Sequence, residues 1–397
     1  MANNIDTLVI RNGSILLSSG ELHTGNIFIE DGQIKSIDGS FAESAQQIDA
    51  TDCYILPGLI DSHVHGLEYD GVADSHLADF AKTEASHGVT TFFPTLFASP
   101  AKIAGQMKRH REETNELTLL PQIGGFRLES PYLAIPSGGL ASDVAPISSE
   151  TTKMLLEAGN GHIKIWDVSP ELPGAAKLVE ELTAQGIVCS IAHTHATIDQ
   201  AREVVDAGAK LITHMFDVIA HPVMIDPDPD VYPVGLADYL LVEDRVACEI
   251  IADGTHVHPY LVEEALRCKP AGKVVFVTDS NLGAGLPPGQ YTLPGGWVTV
   301  QINGSNDGVR VVDRDMVLAG SALTMLDSFR SAVRLFDRDL ANAIAYCSTN
   351  PAELLGLNKG SISIGKDADL IILDKSLNLV YTIAGGNIVY HRQSGPV

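Results

Sequence analysis

Short apolar runs recur through the middle of the chain, and most are separated from the next by a stretch with helical periodicity. The runs fall at 54–60, 90–94, 124–129, 162–165, 188–192, 211–214, 248–252 and 273–278, with helical patterns such as 198–207 and 259–268 between them. Alternation of this kind predicts a parallel sheet flanked by helices. Eight strands are the number that closes a (β/α)8 barrel, although an open doubly wound sheet alternates in the same way. The polar residues favour the barrel. Many of the runs end in His, Glu or Asp, and the C-terminal rim of the strands is where such barrels keep their chemistry.

The two ends of the chain read differently. Residues 7–11, 25–29 and 34–37 are β-rich, and Glu30-Asp31-Gly32-Gln33 carries an acidic-Gly hairpin signal. Residues 369–373 and 387–390 have the same strand character. Two β-rich ends around an α/β middle predict one small β domain built from both termini, with two unrelated terminal hairpins as the alternative. The predicted division is 1–56 with 358–397 for the small domain, and 57–357 for a TIM-like (β/α)8 barrel.

Length allows this, because 397 residues exceed the roughly 250 that a barrel needs. Charge narrows the partners. Fifty acidic residues against 26 basic ones give a net charge of −24, which repels nucleic acid and anionic membranes. The same field opposes an anionic small substrate unless positive charge is concentrated locally. No run approaches the roughly 18 apolar residues of a membrane span, and the N-terminus does not read as a signal peptide. Cys53, Cys189, Cys248, Cys268 and Cys347 are odd in number and scattered, a pattern that suits reduced thiols and a cytoplasmic location.

Five strand ends carry candidate chemistry. His63 and His65, two apart in Asp61-Ser62-His63-Val64-His65, point to one side of an extended segment and can hold one ion together. Glu129 ends an apolar run, a costly place for a carboxylate without a cation. His193, His214 and Asp279 follow three further runs. Each alone could be a structural residue, but ionisable groups at five of eight strand ends point to a metal centre. Imidazole and carboxylate ligands suit zinc foremost, with iron, cobalt or manganese as alternatives, bound as one ion or two. Such an ion lowers the pKa of water and polarises a carbonyl. Asp279 is placed to take the proton and return it to a departing amine.

Several motifs together resemble the amidohydrolase superfamily and, within it, the N-acetylglucosamine-6-phosphate deacetylases. They include Pro57-Gly58-Leu59-Ile60-Asp61, Leu128-Glu129-x-Pro131, His193-x-x-Ala196-Thr197 and Thr213-His214-Met215-Phe216. Ile251-Ala252-Asp253-Gly254-x-His256, Val277-Thr278-Asp279, Leu318-Ala319-Gly320-Ser321, Asn350-Pro351-Ala352 and Gly365-Lys366-Asp367-Ala368-Asp369 continue the likeness over nearly the whole chain. The resemblance implies a primary metal on Glu129, His193 and His214, Asp279 as general base and acid, and His256 beside an N-acetylated small-molecule substrate. It also implies a TIM-like metal-dependent hydrolase barrel with a small β-sandwich domain built from both termini, and a homodimer, and His63 with His65 leaves room for a second ion.

The chain departs from that family where a phosphate would bind. Arg127 stands where a His is usual, Ser130 replaces a Gly, and Asp217 replaces an Asn. Residues 134–141 lack the usual lysines and histidine. No arginine lies in 221–233, which instead holds Asp226, Asp228 and Asp230. A carboxylate cannot donate to phosphate unless protonated, and a lost arginine removes a bidentate anchor. Arg127, Arg245 or a partner subunit's residue are candidate replacements, and Arg127 and Asp217 are expected to contact substrate. The competing expectation is a non-phosphorylated N-acyl substrate, such as an N-acyl amino acid, dipeptide or cyclic amide. Cyclic-amide enzymes often carboxylate a lysine at the fourth strand end, but Lys164 sits mid-run. A catalytically dead barrel scaffold is the non-enzyme alternative.

Overall fold

The computed structural model describes residues 7–39, 45–117, 122–219, 234–294 and 299–396. Eight strands, Leu59–Val64, Val89–Leu96, Phe126–Leu128, Ile163–Val168, Val188–Ile191, Leu211–Ile212, Ala247–Ile251 and Val274–Val277, form one parallel sheet in chain order. Nearly every position in them is buried. That explains why they read as apolar runs rather than alternating patterns. The sheet closes where the eighth strand meets the first. There the Asp279 N–H donates to the His63 carbonyl at 2.9 Å, and Ser280 bridges Val64.

Helices fill the connections, and their starts follow from sequence. Thr197 caps Ile198–Asp206 in a box with Gln200, and Pro259 occupies the first turn of Pro259–Cys268. Both side-chain capping and an N-terminal proline satisfy or remove amide donors that the first turn leaves unpaired.

The run at 54–60 is not one strand. Cys53–Pro57 belongs to a second sheet, and the barrel begins at Leu59. Gly58 makes the join, because a Cβ there would lie 2.2 Å from Oγ1 of Thr90.

The second sheet has nine strands. Thr7–Leu16, Leu22–Glu30, Gln33–Ile37, Gln46–Asp49 and Cys53–Pro57 join Leu370–Asp374, Leu379–Ala384, Asn387–His391 and Gly395–Pro396. The hairpin at Asp31-Gly32 has positive φ at both residues (51° and 72°), as its sequence predicts. Both termini therefore contribute, as the β-rich ends indicate. Thr7–Leu16 shifts register between Ile10 and Gly13 and takes a different parallel partner on each half, Gln46–Asp49 and Cys53–Pro57. Leu8, Ile10, Ile27, Ile55, Leu370 and Ile372 share the core of this sheet.

A four-stranded antiparallel sheet, Gly289–Tyr291, Val300–Ile302, Val309–Val311 and Val317–Leu318, follows the eighth barrel strand. The apolar pattern does not reveal it, since strands of two or three residues are too short to show a period.

Asp369 pins the terminal sheet to the barrel. Its buried carboxylate meets Lys359 Nζ at 2.6 Å and accepts from the Gly385 amide at 2.7 Å and the Thr91 hydroxyl at 3.4 Å. Its carbonyl accepts from the Gly58 amide at 2.9 Å. Breaking a buried pair strands one charge, at a cost of about 3–5 kcal/mol. Asp369→Ala is expected to lower unfolding free energy by that amount in urea denaturation. A loss below about 1 kcal/mol would show that the junction does not depend on it.

Candidate metal centre

The barrel carries its ionisable groups at one rim. His63 lies near the end of the first strand and His65 just beyond it, while Glu129 follows the third. His193, His214 and Asp279 each lie two residues past the fifth, sixth and eighth strands. All three have left-handed backbone, with φ of 45°, 26° and 46°. This conformation is sparsely populated outside glycine and clusters at functional sites.

Glu129 stands at the centre. Its Oε1 lies 3.0 Å from His193 Nε2 and 3.5 Å from His214 Nε2. Its Oε2 lies 2.9 Å from His65 Nε2 and 3.5 Å from His63 Nε2. Asp279 Oδ1 is 3.4 Å from the Nε2 atoms of both His63 and His65. The structure thus brings all six sequence-predicted groups into two adjoining triads, His63–His65–Asp279 and Glu129–His193–His214.

The outer nitrogens decide what the inner ones can do. Nδ1 of His193 faces the Ile135 carbonyl at 3.0 Å, that of His214 the Asp217 carbonyl at 3.3 Å, and that of His65 the Thr95 carbonyl at 3.2 Å. Nδ1 of His63 faces Glu249 Oε2 at 3.4 Å. Oxygen acceptors hold the proton of a neutral ring on Nδ1, so each imidazole, once neutral, turns its Nε2 lone pair inward. Two of those Nε2 atoms, on His193 and His214, are 3.2 Å apart. Buried His63 Nε2 and Glu129 Oε2 have no hydrogen-bond partner. Converging acceptors without donors are expensive in a buried site and fit a cation.

The electrostatics agree. Burial pushes His65 down, but Glu129 and Asp279 outweigh it and lift the imidazole to about 10. His214 is lifted to about 10 against burial in the same way, by Glu129, Asp279 and Asp217. Burial lifts Asp279, yet His63, His65 and His214 hold it well below the usual carboxylate range. The pocket stabilises positive charge at its centre.

Arg127 requires a correction. It was expected to contact substrate, but it is wholly buried beneath the centre. Its guanidinium meets Asp167 at 3.0 Å and Glu249 at 2.5 Å, and donates to Thr213 Oγ1 and the Ser62 carbonyl. Arg245 also fails as a phosphate anchor. It precedes the seventh strand, at the end of the barrel away from the rim, and pairs with Glu243 and Asp206 at 2.7 Å. His256 does reach the rim. Its Nδ1 lies 2.6 Å from Asp253. Burial lowers it, but Asp253, with Asp279 and Asp217 nearby, raises it above its ordinary value. Asp217 is half-buried, and its charge acts on both His214 and His256. Residues 221–233, with Asp226, Asp228 and Asp230, lie outside the described residues.

Lys164 and His195 are exposed, and His258 accepts from the Tyr260 amide at 3.3 Å. Sequence reading missed Glu249, Asp167 and Asp253. The available signal was a single acid inside an apolar run, as in Cys248-Glu249-Ile250 and Trp166-Asp167-Val168.

The sequence model described as the amidohydrolase family matches residues 54–389. The chain is 29% identical to an N-acetylglucosamine-6-phosphate deacetylase of Lysinibacillus sphaericus, covering 96% of this chain and 97% of that protein. It is 29% identical to one of Bacillus subtilis (strain 168), covering 97% and 98%. Among solved structures, a mutant N-acetyl-D-glucosamine-6-phosphate deacetylase from Mycobacterium smegmatis, in complex with N-acetyl-D-glucosamine-6-phosphate, superposes with a TM-score of 0.81. That pair is 26% identical, covering 96% of this chain and 98% of the other. The N-acetylglucosamine-6-phosphate deacetylase from Thermotoga maritima gives 0.82 at 26% identity, covering 96% and 99%.

The buried network makes a pH prediction. Burial lifts Glu249, but Arg127 and His63 outweigh it and hold the carboxyl at about 2, below its ordinary 4.5. A depressed folded pKa contributes stability that is complete above 4.5 and is lost as pH falls towards 2. Arg127→Met is expected to cost about 3–5 kcal/mol at neutral pH and to flatten acid destabilisation across that window. Denaturant midpoints measured from pH 7 to pH 3 check both. An unchanged slope would show that Arg127 does not hold Glu249 low.

Proposed function

Because the chain belongs to the amidohydrolase family, whose sequence model spans residues 54–389, we propose that it is a metal-dependent deacetylase of an N-acetylated amino sugar, N-acetylglucosamine 6-phosphate foremost. The observation that carries this is the pair of triads meeting at Glu129, with Asp279 beside His63 and His65. The full-length likeness to deacetylases of that substrate supports it. In this reading Glu129, His193 and His214 hold the primary ion and His63 and His65 the second, with zinc as the metal.

A divalent cation held here lowers the pKa of water and polarises the acyl carbonyl. Asp279 accepts the proton of the attacking water and delivers it to the amine as the C–N bond breaks, so the carboxylate ends as it began. The products are acetate and the free amino sugar. His256, with Nδ1 committed to Asp253 and its protonated form favoured, donates from Nε2 to a substrate oxygen. Asp217, whose charge acts on His214 and His256, orients substrate hydroxyls as an acceptor. The proposal includes a homodimer in the cytoplasm, with residues 57–357 as the catalytic unit and 1–56 with 358–397 as its β domain.

One observation favours a second reading, a non-phosphorylated N-acyl substrate. Among the described residues, neither Arg127 nor Arg245 is placed to meet a phosphate at the rim.

Acetate release from N-acetylglucosamine 6-phosphate and from N-acetylglucosamine separates the two. Turnover of the phosphorylated sugar alone is the expected result. Failure on it by metal-replete protein, with a neutral N-acyl compound hydrolysed, would leave the chemistry and replace the substrate. Chelation is expected to abolish turnover and zinc to restore it. Asp279→Asn should lower kcat by about 10²–10⁴ while the ion on Glu129, His193 and His214 is retained. Near-native kcat in that variant would remove Asp279 from the proton path.

A further inference from the structure

The four histidines of the centre are not held alike. Those of His65, His193 and His214 give Nδ1 to backbone carbonyls. His63 alone among them faces a side-chain carboxylate, Glu249 Oε2 at 3.4 Å. Glu249 is wholly buried within the seventh strand and takes no part in the reaction above. Its other oxygen meets Arg127 Nη1 at 2.5 Å and Ser62 Oγ at 3.4 Å. Arg127 is itself anchored, by Asp167 at 3.0 Å, Thr213 Oγ1 at 3.0 Å and the Ser62 carbonyl at 3.1 Å.

This arrangement controls a proton. With an acceptor at Nδ1, His63 keeps its hydrogen outward and its Nε2 lone pair inward. Without one, a buried imidazole would carry the hydrogen on Nε2, where Glu129 and Asp279 oxygens lie 3.5 and 3.4 Å away. That hydrogen would bond across the pocket and close one position to a cation. A charged acceptor also makes imidazole a stronger ligand than a carbonyl does.

We propose that Glu249, clamped by Arg127, is a positioning residue that holds His63 in the ligating tautomer and so sets the occupancy of the His63–His65–Asp279 position. The Glu129–His193–His214 position fills independently of it. The inference rests on reading these residues as metal ligands and not on the identity of the substrate.

Glu249→Gln is the direct test. Arg127 has only donors, so it takes the amide oxygen and turns the amide NH₂ towards His63 Nδ1, which forces the wrong tautomer. Protein stripped by chelation is titrated with zinc. Bound metal is counted by elemental analysis, and affinity is measured by competition with a chromophoric chelator. The native chain is expected to take two zinc ions. Glu249→Gln should keep one at native affinity and bind the other about 10–100-fold more weakly. Asp167→Asn, which alters the far side of Arg127, should keep both. Glu249→Asp keeps the charge beside Arg127 while withdrawing the acceptor from Nδ1. It is expected to weaken the same position, and it stands in should the glutamine variant fail to fold.

Native affinity at both positions in Glu249→Gln overturns the inference, as does a native chain that takes a single ion. Equal loss at both positions in Glu249→Gln and Asp167→Asn would assign the network to folding alone and also overturn it. A native chain that binds no zinc would instead sink the metal-centre reading itself.

Discussion

One buried carboxylate organises this molecule. Glu129 lies between four imidazoles with almost no access to water, and each of its oxygens faces two of them. A carboxylate in that position is tolerable only among positive partners. The barrel supplies the means, because closure of a parallel sheet sends the ends of distant strands to one ring. Left-handed backbone at His193, His214 and Asp279 then turns three of those ends inward. Such conformations persist where surrounding structure holds them, and here the holding structure is a fully buried sheet.

A second layer lies beneath. Arg127 spans Asp167 and Glu249, and Glu249 reaches up to His63. These two acids together with Glu129 and Asp279 set four carboxylates against one guanidinium. The excess negative charge lies below and around the inward-facing nitrogens, which is what a site for divalent cations requires. Arg127 has moved from a position expected at the substrate to the foundation of the centre. Its chemistry suits the role, because guanidinium remains charged when buried and bonds several acceptors in one plane.

The likeness to deacetylases covers nearly the whole chain. Asp217 carries a carboxylate at the rim, and the described arginines discussed as replacements lie under the centre or at the opposite end of the barrel. The candidate metal centre and any substrate anchor rest on different parts of such a fold. The first depends on strand ends, which the sheet fixes, and the second on the loops beyond them, which vary more freely.

The amino-acid sequence by itself determined the eight parallel strands, the β-rich ends and the six groups of the centre. Strands buried on both faces must be apolar throughout, so a His or Glu at the end of such a run stands out. It also showed that no arginine lies in 221–233, since a missing side chain needs no geometry to be noticed. Tertiary structure alone decided how those groups pair. That Glu129 touches the histidines of both triads depends on strands three, five, six and eight meeting the first around a closed ring, and no spacing along the chain encodes those distances. The split of the 54–60 run at Gly58 was likewise hidden, because both halves are equally apolar and only the Thr90 contact and the two sheets separate them. The role of Arg127 was hidden for a related reason. Its partners Asp167 and Glu249 lie 40 and 122 residues away, and a charge in an apolar strand reads the same whether it faces a substrate or a buried acid.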